Sequence, residues 1–152
     1  MNISECMKRN VIFISKTASV REAAAIVAKN HIGLLPIVDD DMQVIGVVGL
    51  KDLLSLELPD FIRFIADVDF VHDFGAVETT RPSSEMLDKP ITSLMKHAIT
   101  VEEECGLMRA YALILQHNLH DMPVVSKDGK LTGVASRVDI GTAILSTWSK
   151  VE

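Results

Sequence analysis

The chain has 152 residues, 48% of them hydrophobic and 24% charged, with a formal net charge of −6. That length supports one compact domain or two small ones sharing a core, and the negative balance argues against nucleic acid and acidic membrane surfaces as partners. No run of eighteen apolar residues occurs, and Met1-Asn2-Ile3-Ser4-Glu5 lacks the basic start and apolar stretch of a signal peptide, so the expected location is the cytoplasm with no membrane partner.

In chain order, Val11-Ile12-Phe13-Ile14 is a short β-branched run that predicts a strand. From Ser19 to Asn30 the pattern predicts a helix, with Ser19 as N-cap, Glu22 at the capping-box position and Val20, Ala24 and Val27 on one face. Two further strands follow, Leu35-Pro36-Ile37-Val38 and the run through Gly46 and Val47, divided by the turn Asp39-Asp40-Asp41-Met42. A helix from Lys51 to Leu56 closes the unit.

The same order then returns. Pro36 and Pro123, Gly46 and Gly133, and Asp52 and Asp139 are each separated by 87 positions, as are Ala23 and Ala110, Asp41 and Asp128, and Val47 and Val134. Met7 and Met95 differ by 88, which asks for one extra residue in the first copy. The chain is therefore a tandem duplication. Its second copy has the strand Ile99-Thr100-Val101, a helix with Leu107, Tyr111 and Ile114 on its inner face, the strand Met122-Pro123-Val124-Val125, the turn Ser126-Lys127-Asp128-Gly129, and a helix from Val138 to Trp148. The expected fold class is α+β, built from two pseudo-symmetric β-α-β-β-α repeats of α/β type. The boundaries read as 1–56 for the first repeat, 57–90 for an acidic, Phe-rich linker and 91–152 for the second repeat. Ala110-Tyr111-Ala112-Leu113-Ile114-Leu115 is apolar without interruption, which predicts that a second copy of the chain covers part of this helix.

The chemistry concentrates at Gly133-Val134-Ala135-Ser136-Arg137-Val138-Asp139, where a strand runs into a helix. A helix start offers free N–H groups and a partial positive charge, so a phosphate suits Ser136, and Asp139 can accept from the vicinal hydroxyls of a sugar. The alternative reading is a Ser136 N-cap with Asp139 favouring the helix dipole. Cys6 and Cys105 are far apart and lack metal-ligand spacing, so reduced structural cysteines are expected.

The order strand, helix, Leu35-Pro36-Ile37-Val38-Asp39, turn, Gly46-Val47-Val48-Gly49-Leu50-Lys51-Asp52, then repeated, resembles a tandem pair of cystathionine β-synthase (CBS) domains, the Bateman module. The resemblance covers roughly residues 6–56 and 91–148. It implies repeats packed through their sheets, two clefts for adenosine-containing ligands, and pairing of chains into a flat homodimer. Carried over, it implies a ligand site at Gly133, Ser136 and Asp139, with adenine against Ile99, Thr100 and Val101 and with Met122 and Pro123 as an apolar wall. His120 and Arg137 would balance a phosphate, assisted by Lys51. The first copy keeps Asp52 and Pro36 but has Gly49 in place of the hydroxyl, so its cleft is expected to be weaker by about 1 kcal/mol. Asp121 stands where the family often has a basic residue, which counts against a triphosphate. AMP heads the expected ligands, with ADP, ATP and S-adenosylmethionine as alternatives.

The segment from Glu57 to Pro90 carries eight acidic and three basic residues and four of the five phenylalanines, Phe61, Phe64, Phe70 and Phe74. Leu58, Phe61, Ile62 and Ile65 have helical spacing. Asp67, Asp69, His72 and Asp73 lack the glycine turn and closing glutamate of a calcium loop, so no metal is expected. The stretch from Gly75 to Lys89 reads as an exposed, mobile connection. The expected function is a regulatory module that binds an adenosine compound and transmits its occupancy to an unknown partner protein, and not an enzyme. A ligand-free dimerisation module and a metal-dependent enzyme using the acidic insert are the competing readings.

Overall fold

Ser19 and Val20 begin the first helix as the capping pattern requires. The Ser19 hydroxyl accepts from the Glu22 N–H at 3.1 Å, and α1 runs over Val20–Asn30. The computed structural model describes residues 1–57 and 81–150. The aromatic spacing at Leu58 to Phe74 and the acidic group Asp67, Asp69, His72 and Asp73 lie outside the described residues. Around α1 stand β1 (Ile14–Ser15), β2 (Leu34–Val38), β3 (Val44–Gly49) and α2 (Leu50–Leu54). After a short α3 (Ser84–Leu87) come β4 (Val101–Glu102), α4 (Leu107–Gln116), β5 (Asp121–Val125), β6 (Leu131–Ser136) and α5 (Arg137–Trp148).

Each repeat folds the same three-stranded sheet. β1 lies parallel to β2 with Ile14 opposite Ile37, and β4 lies parallel to β5 with Val101 opposite Val124. β2 and β3 are antiparallel with Leu34 opposite Gly49, as β5 and β6 are with Asp121 opposite Ser136. The expected strand at Val11–Ile14 enters the sheet only at Ile14. On the helices, Ala23 and Ala110 are buried where Ala24 and Tyr111 were expected, because the inner stripe follows i, i+3, i+7 in both copies. The described part of the connection before the second repeat, residues 81–89, is also more structured than its composition suggests. Ser83 caps α3, Leu87 packs against the first core, and Arg21 meets Asp88 at 3.2 Å.

The two cores do not follow the two halves of the chain. Ile3 and Met7, at the start of the chain, are buried with Val101, Leu107, Ile114, Met122 and Val124 of the second repeat. Ile91, with Leu94 and Met95 beside it, packs among Val20, Leu35, Ile37 and Val48 of the first. The backbone repeats the exchange: Ile3 N–H donates to the Cys105 carbonyl at 2.9 Å, and Ile91 N–H donates to the Ala18 carbonyl at 2.8 Å. Further along each arm, Lys8 pairs with Val134 on the edge of β6, and Lys96 pairs with Val47 on the edge of β3. Full burial of one isoleucine is worth about 1.5–3 kcal/mol, so each arm is held by its apolar anchor as well as by its ladder bonds.

Two glycines make the exchange possible. A Cβ on Gly133 would lie 2.7 Å from the Met7 sulfur and 2.9 Å from the Lys8 carbonyl oxygen. A Cβ on Gly46 would collide with the Met95 side chain and come within 2.9 Å of the Lys96 carbonyl oxygen. The 87-residue spacing of these glycines therefore marks where the other arm crosses the sheet.

Candidate functional site: a cleft between the repeats

At the end of β6 the chain turns into α5 through a reciprocal cap. The Ser136 hydroxyl accepts from the Asp139 N–H at 2.9 Å, and the Asp139 carboxylate accepts from the Ser136 N–H at 3.0 Å. This satisfies two backbone donors at the helix start and fixes the direction of the Asp139 side chain. Lys8, delivered by the exchanged arm, brings its Nζ to 3.9 Å from the same carboxylate. The Asp139 side chain retains 19% exposure and lines an open cleft of about 240 Å³.

That cleft is made by both repeats. Asn10, Val11 and Ile12 come from the segment ahead of β1, and His31, Ile32, Gly33 and Leu34 from the turn between α1 and β2. The second repeat contributes Asp121, Val134 and Asp139. Val11, Ile12, Ile32 and Leu34 offer an apolar surface suited to a flat base, with a carboxylate within the same hollow to take sugar hydroxyls.

The structure brings together only part of the expected set. Asp139 lines the cleft, whereas Ser136 stands behind it as its capping partner and is not part of the lining. Gly133 is buried beneath Met7 and serves packing instead of ligand contact. Met122 and Pro123 are fully buried core residues, as is Pro36 in the first copy, so none of them forms an exposed wall. Ile99 packs against the second core, while Thr100 and Val101 line a different hollow with Glu102, Cys105 and Arg109. The reason is the exchange of arms: the run beside Asp139 is the one that follows Lys8, so residues 10–12 take the place expected for 99–101. Arg137 is also engaged elsewhere. Its Nη2 donates to the Leu119 carbonyl at 2.7 Å and its backbone N–H to the His120 carbonyl at 2.8 Å, while its Nε is buried without a partner. His120 is exposed next to this turn. Lys8, Asn10, His31 and Gly33 were missed; the 88-residue spacing of Met7 and Met95 was the signal that the chain ahead of β1 belongs to the repeating unit.

On the first-repeat side, Asp52 Oδ2 accepts from the Gly49 N–H at 2.8 Å, which reproduces half of the cap at Ser136 and Asp139. Gly49 supplies no hydroxyl, and Lys51 is exposed. Leu50 N–H donates to the Gly33 carbonyl at 3.0 Å, as Arg137 N–H does to His120. The duplicated junction is thus geometrically intact but one polar group short.

Asp121 is the second carboxylate in the cleft. Burial pushes its carboxyl above the usual aspartate range and Asp139 adds to the rise, against the opposing pull of His120 and Lys8. A carboxyl raised on folding favours the folded state at pH below its unfolded value, and this advantage is lost as pH rises through the folded value. Asp121→Asn is therefore expected to raise the denaturation midpoint at neutral pH. The gain should vanish well below the ordinary aspartate pKa of about 3.9. Denaturant titrations at the two pH values check this, and a variant less stable at neutral pH would contradict it.

A duplicated βαββα unit with an acid-capped helix after the last strand of each copy defines a class of paired α+β repeats. Residues 3–58 and 91–146 each match the CBS domain, and the chain belongs to that family. Its architecture is a CBS pair. It is 27% identical over 143 residues to the CBS domain-containing protein CBSX1, chloroplastic, of Arabidopsis thaliana, across 91% of this chain and 61% of the relative. The chain thus spans about three-fifths of that protein's length. The crystal structure of CBSX2 in complex with AMP superimposes with a TM-score of 0.71 and 25% identity, covering 96% of this chain and 97% of the other. The CBS domain pair of protein MJ0100, in complex with 5-methylthioadenosine and S-adenosyl-L-methionine, shares the fold at a TM-score of 0.69 and 19% identity, over 97% of this chain and 98% of that one.

Proposed function

We propose that the chain is a regulatory module, not itself an enzyme, that binds an adenosine-containing ligand in the cleft at Asp139 and passes the occupancy to a partner protein. The observation that carries this is the Asp139 carboxylate, held on the inter-repeat cleft by the Ser136 N–H. The fold shared with CBSX2, a protein crystallised with AMP, supports the choice of ligand class. Sugar hydroxyls arriving at Asp139 would compete with Lys8 Nζ, and Lys8 belongs to the arm anchored by Ile3 and Met7. Occupancy would therefore pull on the packing between the repeats, which is the change a partner reads. The test is a thermal-shift panel of adenosine, AMP, ADP, ATP, S-adenosylmethionine and NAD. At least one should raise the melting temperature, and no shift with any of them would reject the reading.

A structural role in dimerisation is the second reading, favoured by the apolar outer surfaces of two helices packed together. Met108 and Leu115 on α4 and Val138, Leu145 and Trp148 on α5 are exposed, Trp148 at 68%. Such a surface suits a second copy of the chain. The chain is expected to sediment as a dimer at micromolar concentration, and Leu145→Glu with Trp148→Ser should shift it to monomer. A monomeric native chain would sink this expectation. A dimer that no adenosine compound stabilises would favour the purely structural role.

A further inference from the structure

We infer that Asp121 makes the Asp139 cleft selective for adenosyl compounds whose 5′ substituent is uncharged or cationic, a thioether or a sulfonium, over nucleotides carrying the same base and sugar. This rests on the reading of the cleft as an adenosine site. Three charged side chains line the hollow with His31: Lys8 is the cation, and Asp121 and Asp139 are the carboxylates. Lys8 faces Asp139 at 3.9 Å and also attracts Asp121, so a single lysine on the lining is shared between two carboxylates and the charge of the hollow stays negative. Asp121 is the direct cross-strand neighbour of Ser136, the residue that opens α5. A phosphate drawn to that helix start would therefore stand beside a half-buried carboxylate.

Three of the four N–H groups from Ser136 to Asp139 are already engaged, which leaves little at the helix start for an anion. The Asp139 N–H is taken by the Ser136 hydroxyl, the Arg137 N–H by the His120 carbonyl, and the Ser136 N–H by Asp139 itself. The Arg137 guanidinium, the cation nearest in sequence, is turned to the Leu119 carbonyl. Gly33 completes the selection on the facing turn: a Cβ there would lie 3.8 Å from Asp121 Oδ2, so the carboxylate faces a wall without a side chain. A thioether carries no charge for Asp121 to repel, and a sulfonium gains an attractive partner.

The test is isothermal titration of the full chain and of Asp121→Asn with adenosine, 5′-methylthioadenosine, S-adenosylmethionine and AMP. In the native chain AMP should bind about ten-fold more weakly than 5′-methylthioadenosine at low ionic strength, a gap that narrows with added salt. In Asp121→Asn the gap should close mainly through tighter AMP binding; Asp121→Ser, which also removes the charge, should behave alike. AMP binding at least as tight as 5′-methylthioadenosine in the native chain would overturn the inference, as would a ratio that neither variant moves. If all four compounds bind and lose their affinity in Asp139→Ala but the ratio is insensitive to Asp121, the selectivity fails and the site stands. If none binds, the site itself fails.

Discussion

Asp139→Ala is expected to abolish the stabilisation that an adenosine ligand confers. A ligand at 100 times its dissociation constant stabilises the folded state by about 2.7 kcal/mol, and removing the acid proposed to hold the sugar should take most of that away. For a chain of this size that corresponds to a melting-temperature shift of roughly 5–10 °C in the native protein, falling to near zero in the variant. Asp139 also closes the cap of α5 through Ser136, so the unliganded variant should itself be less stable by about 1 kcal/mol. Comparing each protein with and without ligand separates the two effects. Asp52→Ala is the counterpart, because Asp52 caps α2 through the Gly49 N–H in the same way. The ligand shift should survive Asp52→Ala. Its loss there, with persistence in Asp139→Ala, would place the ligand in the other half of the molecule.

The second large effect concerns the crossing of the arms. Gly133→Ala would set a methyl group 2.7 Å from the Met7 sulfur and 2.9 Å from the Lys8 carbonyl oxygen, against a strand edge that cannot retreat without breaking the bonds between Lys8 and Val134. Overpacking of this kind costs about 1–3 kcal/mol. Met7→Ala, which empties a buried position, should cost about 2–5 kcal/mol on its own. In the double variant the new methyl occupies space vacated by Met7, so the combined cost should fall short of the sum by about 1 kcal/mol. Because the same arm carries Lys8 and residues 10–12 to the cleft, Gly133→Ala should also weaken ligand binding. Strict additivity in denaturant titrations would show that Gly133 and Met7 do not share the packing described.

The two effects differ in how far the sequence anticipates them. The cap between Ser136 and Asp139 is a local event, three residues apart, and its serine and aspartate identify it without any tertiary contact. Met7 above Gly133 joins residues far apart in the chain, and no local pattern connects them. Arg137 shows the reverse error: its position at the helix start suggested a phosphate contact, but the Leu119 carbonyl, on the preceding turn of the fold, takes the guanidinium. Met122 and Pro123 fit an apolar wall or a core equally well by composition, and only burial distinguishes them.

From the sequence alone came the duplication, the order of strands and helices in each copy, the helix caps and the acid at each strand–helix junction, all of which depend on residues close together in the chain. The folded structure alone decided which arm lies on which sheet, and with it which residues face Asp139. Both arms carry an isoleucine, Ile3 and Ile91, and both cores are built of aliphatic side chains, so residue type alone does not assign an arm to a core. What separates the two arrangements is the path of the chain between the sheets and the close approach that Gly46 and Gly133 permit, a property of backbones in contact that no stretch of sequence carries by itself.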